Sequence, residues 1–159
     1  MTSGQLATLI DTHAASLVLF ARQWCVAPED VVQDAFCKLT VQRKLPDDPV
    51  AWLYRVVRNR AMDVGKADRR RLRRESAAAK PVRWFAEREV EGLDADLAVQ
   101  SLECLTLEQR EVIVARLWSG MTLEQIAAVV GCSVSSAHRR FEAGIVALRE
   151  RLGVPCPKT

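Results

Sequence analysis

A chain of 159 residues with 49% hydrophobic and 27% charged residues has the composition of a folded protein, one ordinary domain or two small ones, and not of a disordered polypeptide. Its net charge of +3 is too small to point to a nucleic-acid partner by itself. No apolar run is long enough to span a bilayer, and the opening MTSGQLATLIDTHAA lacks a basic stretch followed by an apolar core, so a membrane span and a secretory signal are not expected and the expected compartment is the cytoplasm.

Cys25, Cys37, Cys104, Cys132 and Cys156 are odd in number and scattered, without CxxC spacing. They are expected to be small buried hydrophobes, with no disulfide framework, no metal site and no cofactor.

Strand signals are nearly absent and helical periodicity recurs, so the expected class is all-α: two small helical domains joined by a linker. Leu6, Leu9, Ile10, His13, Leu17 and Phe20 form a first apolar stripe. Pro28, followed by Glu29 and Asp30, suits the start of a second helix carrying Val31, Ala35, Phe36 and Leu39. The segment LPDDPV breaks the pattern, and Asp48 with Pro49 can open a third helix running to about Asp68. At 100° per residue, Val50, Leu53, Val56, Val57 and Val64 form its core face. Arg55, Arg58, Asn59, Met62 and Lys66 form its polar face, which runs into the basic KADRRRLRR at Lys66–Arg74. Trp52 and Tyr54 flank the core face, either as core residues or as flat platforms for bases.

Periodicity weakens after Ser76, where Trp84 and Phe85 stand as an unexplained apolar pair. The expected division is a domain over 1–75, a linker over 76–93 and a domain over 94–159. Within the last, Thr106 with Gln109 reads as a capping box opening a helix that ends by Gly120.

Thr122 and Gln125 repeat that spacing, Gly131 can end a short helix in the left-handed conformation, and Ser133 can cap the next. A short helix, a three-residue turn and a longer helix give the spacing of a helix-turn-helix, although a plain helical hairpin produces the same local pattern. Val134, Ala137, Phe141, Ile145, Leu148 and Leu152 are expected as core. Ser135, Ser136, Arg139 and Arg140 remain at the start of the second helix, where a helix-turn-helix reads base edges. His138 lies at the edge, either touching phosphate or partly buried without function. Only two histidines occur, and no Gly-rich phosphate loop or carboxylate pair suggests an enzyme or a small-molecule substrate.

Two segments in this order resemble the extracytoplasmic-function sigma factors of bacterial RNA polymerase. LTLEQREVIVARLWSGMTLEQIAAVVGCSVSSAHRRFEAGIVALRERL resembles their fourth region, and PEDVVQDAFCKL with DPVAWLYRVVRNRAMDVGKADRR resembles their second. The resemblance implies a non-enzymatic promoter-specificity subunit that binds core RNA polymerase, at its clamp helices and flap, and promoter DNA. Asp30, Gln33, Asp34 and Phe36 match the polymerase-docking motif. Trp52, Arg55, Arg58 and Asn59 match positions that engage the minus-ten element and its melted strand, with Lys66, Arg69 and Arg70 adding positive charge beside them. The helix from Val134, with Ser135, Ser136, His138, Arg139 and Arg140, would read the minus-thirty-five element. Many relatives are held inactive by an anti-sigma partner. The chain departs from the family in a short FARQWCVAPEDVVQ segment, in the acidic Glu142 and in Gly144 within the recognition helix. A two-domain transcriptional regulator that never joins polymerase is the competing reading, and the acidic amphipathic PEDVVQDAFCKL is the feature that such a regulator would not need.

Overall fold

The computed structural model describes residues 2–75 and 100–153, and the chain divides into two compact units, Met1–Val82 and Arg83–Thr159. The expected linker, with Trp84 and Phe85, and Cys156 lie outside the described residues. The described residues form helices and turns, in agreement with the all-α expectation.

In the first unit, three helices each pack on the other two: α1 (Ser3–Ala21), α2 (Pro28–Thr40) and α3 (Pro49–Glu75). Local chemistry sets where they begin. Thr2 and Gln5 close a capping box on α1, with the Gln5 N–H donating to Thr2 Oγ1 at 3.3 Å. Pro28 occupies the first turn of α2, with Glu29 and Asp30 beside it at the positive end of the helix dipole. Asp48 Oδ1 accepts the Ala51 N–H at 2.9 Å at the start of α3.

The core of this unit joins Leu17, Phe20 and Ala21 of α1 to Val31, Val32, Ala35, Phe36 and Leu39 of α2 and Leu53, Tyr54, Val57 and Ala61 of α3. Two expectations change here. The outer half of the α1 stripe is only partly covered, Leu6 and Leu9 being half-buried and Ile10 38% exposed. On α3 the buried face is Leu53, Tyr54, Val57, Ala61 and Gly65, while Val50, Val56 and Val64 are only half-buried. Tyr54 wins the core position because its hydroxyl finds a buried acceptor, donating to Ser16 Oγ at 2.8 Å. Tyr54 is therefore no platform for a base.

The connection between α1 and α2 is short, and Gly65 lets α3 approach it closely. A Cβ on Gly65 would overlap the Trp24 carbonyl oxygen. Cys25, buried in the same connection, donates from Sγ to the Ala21 carbonyl at 3.5 Å. Burial pushes its thiol up to about 11. The other described cysteines depart from expectation: Cys37 and Cys104 are exposed and Cys132 is half-buried.

In the second unit, residues 100–103 are helical and are followed by α4 (Leu107–Leu117), α5 (Leu123–Val130) and α6 (Val134–Leu152). Thr106 with Gln109 and Thr122 with Gln125 form the two expected capping boxes. Helix α4 ends three residues before Gly120, with Trp118 as its C-cap. The Arg116 guanidinium ties that end to the next turn, donating to the Met121 carbonyl at 2.6 Å. Arg110 Nη2 likewise donates to the Glu103 and Leu105 carbonyls at 3.1 and 3.0 Å. Its half-buried position lowers its pKa.

Leu102, Leu105 and Ile113 form a buried cluster, and Phe141, Ile145, Ala147 and Leu148 of α6 pack against it. The stripe expected on α6 holds only in its middle. Its ends, Val134 and Leu152, are 43% and 41% exposed. Gly144 is buried in their place, and a Cβ there would stand 2.9 Å from Ile113 Cγ1. Glycine at this position sets how closely α6 approaches α4, a role that propensity alone does not reveal.

Candidate nucleic-acid interface

Helices α5 and α6 meet across Gly131–Ser133. Gly131 takes the left-handed conformation at φ 78°, and its N–H and that of Cys132 donate to the Ala127 carbonyl at 2.9 and 3.0 Å. Ser133 then caps α6, accepting the Ser136 N–H at 3.1 Å. These bonds are local and leave the first turns of α6 facing outward.

Ser135, His138 and Arg139 are exposed there, and Ser136 and Arg140 are half-buried. The Ser136 hydroxyl also belongs to the cap, accepting from Ser133 Oγ at 2.9 Å. The half-buried alternative for His138 is therefore excluded. Three- and four-residue spacing puts Ser135, His138, Arg139 and Glu142 on one helix face. His138 Nε2 lies 3.7 Å from Glu142 Oε1, so a carboxylate sits among the residues expected to meet DNA. At the start of α5, Glu124 accepts its own backbone N–H and the Thr122 hydroxyl, which holds its carboxyl below the usual range.

Helix α3 carries the second cluster. At 100° per residue, Trp52, Arg55, Arg58, Asn59, Lys66, Arg69, Arg70 and Arg73 share one face, opposite Leu53, Val57 and Ala61. Arg55, Asn59, Lys66, Arg69 and Arg70 are exposed, while Trp52 and Arg58 are half-buried. Lys66, Arg69, Arg70 and Arg73 line a shallow depression near the end of the helix. From Arg55 to Arg73 the face runs roughly 27 Å, long enough to follow several nucleotides of a backbone. The Lys66–Asp63 pair at 4.0 Å is exposed and leaves the cation available.

One member of this face has a partner that the sequence does not announce. The Arg58 guanidinium lies over the Trp24 ring, with Cζ 5.9 Å from the ring centroid. Trp24 precedes Arg58 by more than thirty positions, and neither spacing nor periodicity links the two.

On α2, Asp30, Gln33 and Asp34 are exposed but Phe36 is buried. Phe36 helps line an apolar groove between α1 and α2, together with Leu6, Ile10, Val32 and Gln33. The four residues matched to polymerase docking are thus three exposed polar groups beside a groove, with Phe36 forming part of its wall. Asp34 Oδ2 also lies 3.8 Å from Arg60 Nε, joining α2 to α3. Among the described residues there is no His/Cys/Asp/Glu group able to hold a metal and no helix long and apolar enough to cross a membrane.

Residues 96–148 match the family model for region 4 of sigma-70 factors. A probable RNA polymerase sigma factor, RfaY of Xanthomonas campestris pv. campestris, is 24% identical, the alignment covering 94% of this chain but 40% of the relative. The chain therefore spans less than half the length of that curated relative. The fold superposes on the sigma factor RpoE of Bartonella quintana, solved with the anti-sigma factor NepR, with a TM-score of 0.78 and 23% identity over 98% of this chain and all of that one. It also superposes on CnrH, solved with the cytosolic domain of CnrY, with a TM-score of 0.62 and 26% identity over 98% of this chain and 92% of that one.

Proposed function

We propose that this chain, a homologue of RNA polymerase sigma factors with a sigma-70 region 4 domain and an extracytoplasmic-function sigma fold, binds core RNA polymerase and directs promoter recognition, melting and initiation. The observation that carries the reading is the cationic face of α3, from Arg55 to Arg73, in a unit separate from the helix-turn-helix. A regulator that only reads duplex DNA needs the second unit alone, so the competing reading is not favoured.

In this reading α6 enters the major groove of the upstream element with Ser135 and Arg139 foremost, and Ser136, His138 and Arg140 beside them. Arginine can bond guanine in two places or hold a phosphate. The α3 face takes the minus-ten element. Arg55, Arg58, Lys66, Arg69 and Arg70 neutralise the backbone of the melted strand, Asn59 offers hydrogen bonds, and Trp52 offers a flat surface to a base. Asp30, Gln33 and Asp34, with Phe36 in the groove wall, meet the polymerase clamp. Two linked DNA-binding units raise each other's effective concentration once one is placed.

The role is non-enzymatic and belongs in the cytoplasm, where polymerase and promoter are. An anti-sigma protein is the proposed regulator, since RpoE and CnrH were each solved with such a partner or a partner's cytosolic domain. The domains proposed are 1–75 and 94–159, joined by 76–93.

Transcription with purified core polymerase on a promoter library tests this reading. Addition of the protein is expected to yield start sites that share one two-part upstream element. Core polymerase binding without any selection of start sites overturns it.

A further inference from the structure

Asp34 stands apart from the two other polar groups matched to polymerase docking. Asp30, Gln33 and Asp34 share one face of α2 at three- and four-residue spacing, and all three are exposed. Asp34 is the member of this set that an ion pair joins to another helix: its Oδ2 lies 3.8 Å from Nε of Arg60 on α3. Arg60 itself is no part of the cationic strand face, since it lies roughly 140° around α3 from Arg55.

The pair is built to be exchanged. A separation of 3.8 Å is longer than a hydrogen bond, so the attraction is Coulombic and fixes neither group tightly. The side chains of Arg60 and Asp34 are 50% and 56% exposed, and an exposed pair of this kind contributes little to folding. Its effect is larger when a charged partner arrives. Asp30 and Asp34 make the docking face negative, so a surface that is complementary to it presents cations. A cation approaching Asp34 finds Arg60 already there. It has to displace that guanidinium and then sit beside a like charge, and both effects oppose docking.

We propose that Arg60 is an intramolecular stand-in for a polymerase cation: it occupies Asp34 in the free protein and restrains docking on core RNA polymerase, which has to displace it. This rests on the reading of α2 as the polymerase-docking face. Arg60 acts on docking through Asp34.

The test uses the full chain and immobilised core RNA polymerase, with association and dissociation followed over a range of KCl concentrations. The variants are Arg60→Met, which keeps the apolar stem and removes the charge, Arg60→Gln, Asp34→Asn, and the double variant Arg60→Met with Asp34→Asn. Asp34→Asn is expected to weaken binding about three-fold or more. Arg60→Met should tighten it about two- to five-fold at low salt, chiefly through faster association, and the gain should shrink as salt rises. Arg60→Gln should repeat the gain, because the charge and not the stem restrains docking. The double variant should bind no better than Asp34→Asn alone.

Unchanged or tighter binding by Asp34→Asn overturns the docking role of Asp34, and the proposal with it. Loss in Asp34→Asn with unchanged or weaker binding by Arg60→Met leaves that role standing and rejects the restraint. A gain in Arg60→Met that recurs in full in the double variant is a general effect of net charge and rejects the restraint as well.

Discussion

Gly65 of α3 and Trp24 of the α1–α2 connection meet backbone to backbone, so closely that a Cβ on Gly65 would overlap the Trp24 carbonyl oxygen. An exposed mid-helix glycine replaced by alanine normally gains about 1 kcal/mol from helix propensity. Here the sign reverses, because a backbone carbonyl has to move. Gly65→Ala is expected to destabilise the first unit by about 2–3 kcal/mol, measured by urea denaturation.

Gly144→Ala tests the corresponding contact in the second unit, where a Cβ would meet the Ile113 side chain at 2.9 Å and 3.2 Å. Helix propensity and overpacking oppose each other at this site, and overpacking of about 1–3 kcal/mol outweighs a gain of about 1 kcal/mol. A net loss of about 1 kcal/mol is expected in denaturant titration. Ile113→Ala removes both Cγ1 and Cδ1, so the double variant should lose less than the sum of the two single losses, and simple additivity would show that the contact is not the cause.

Glu142 shares the outward face of α6 with His138 and Arg139. Glu142→Gln removes a negative charge from the surface proposed to face phosphates. Affinity for duplex DNA should rise about two- to five-fold at low salt for all sequences alike, and the gain should shrink as salt rises. Arg139→Ala is expected to behave differently, relaxing specificity at one upstream position by about 1–3 kcal/mol. A binding-site selection with each variant separates the two effects.

Stability should depend on pH through His13, whose burial lowers its pKa from the ordinary value of 6.5. The unfolded chain then binds more protons than the folded one as pH falls below 6.5, so stability is full above that pH and is lost towards the lower folded value. Thermal melts between pH 7 and 5 should show this loss, and His13→Gln should reduce it.

Cys25 provides the alkaline counterpart, its buried thiol raised from 9.0 to about 11. The folded state holds that proton longer than the unfolded state, so the contribution is complete below pH 9 and declines as pH rises towards 11. Near pH 8, alkylation followed by peptide mass mapping should modify the exposed Cys37 and Cys104 well before Cys25.

Features decided within a few residues were legible in the amino-acid order alone. Pro28 opens a helix through its fixed φ, and Asp48, Thr106 with Gln109, Thr122 with Gln125, Gly131 and Ser133 open or close helices through bonds to neighbours three or four positions away, each where its residue type predicts. Charge placement was legible for the same reason, since the exposed Arg55, Lys66, Arg69 and Arg70 follow helical spacing. Tertiary structure decided everything that needs a partner from another element. Tyr54 entered the core because Ser16 of α1 accepts its hydroxyl bond, and Val134 and Leu152 remained exposed at the two ends of α6. Cys37 and Cys104 lie outside the core although their residue type favours burial. Gly65, Gly144 and the Trp24–Arg58 stack belong to the same class. Capping acts over one helical turn and is written in adjacent letters. Packing and stacking join residues far apart in the chain, and only the folded arrangement of the helices selects which of them meet.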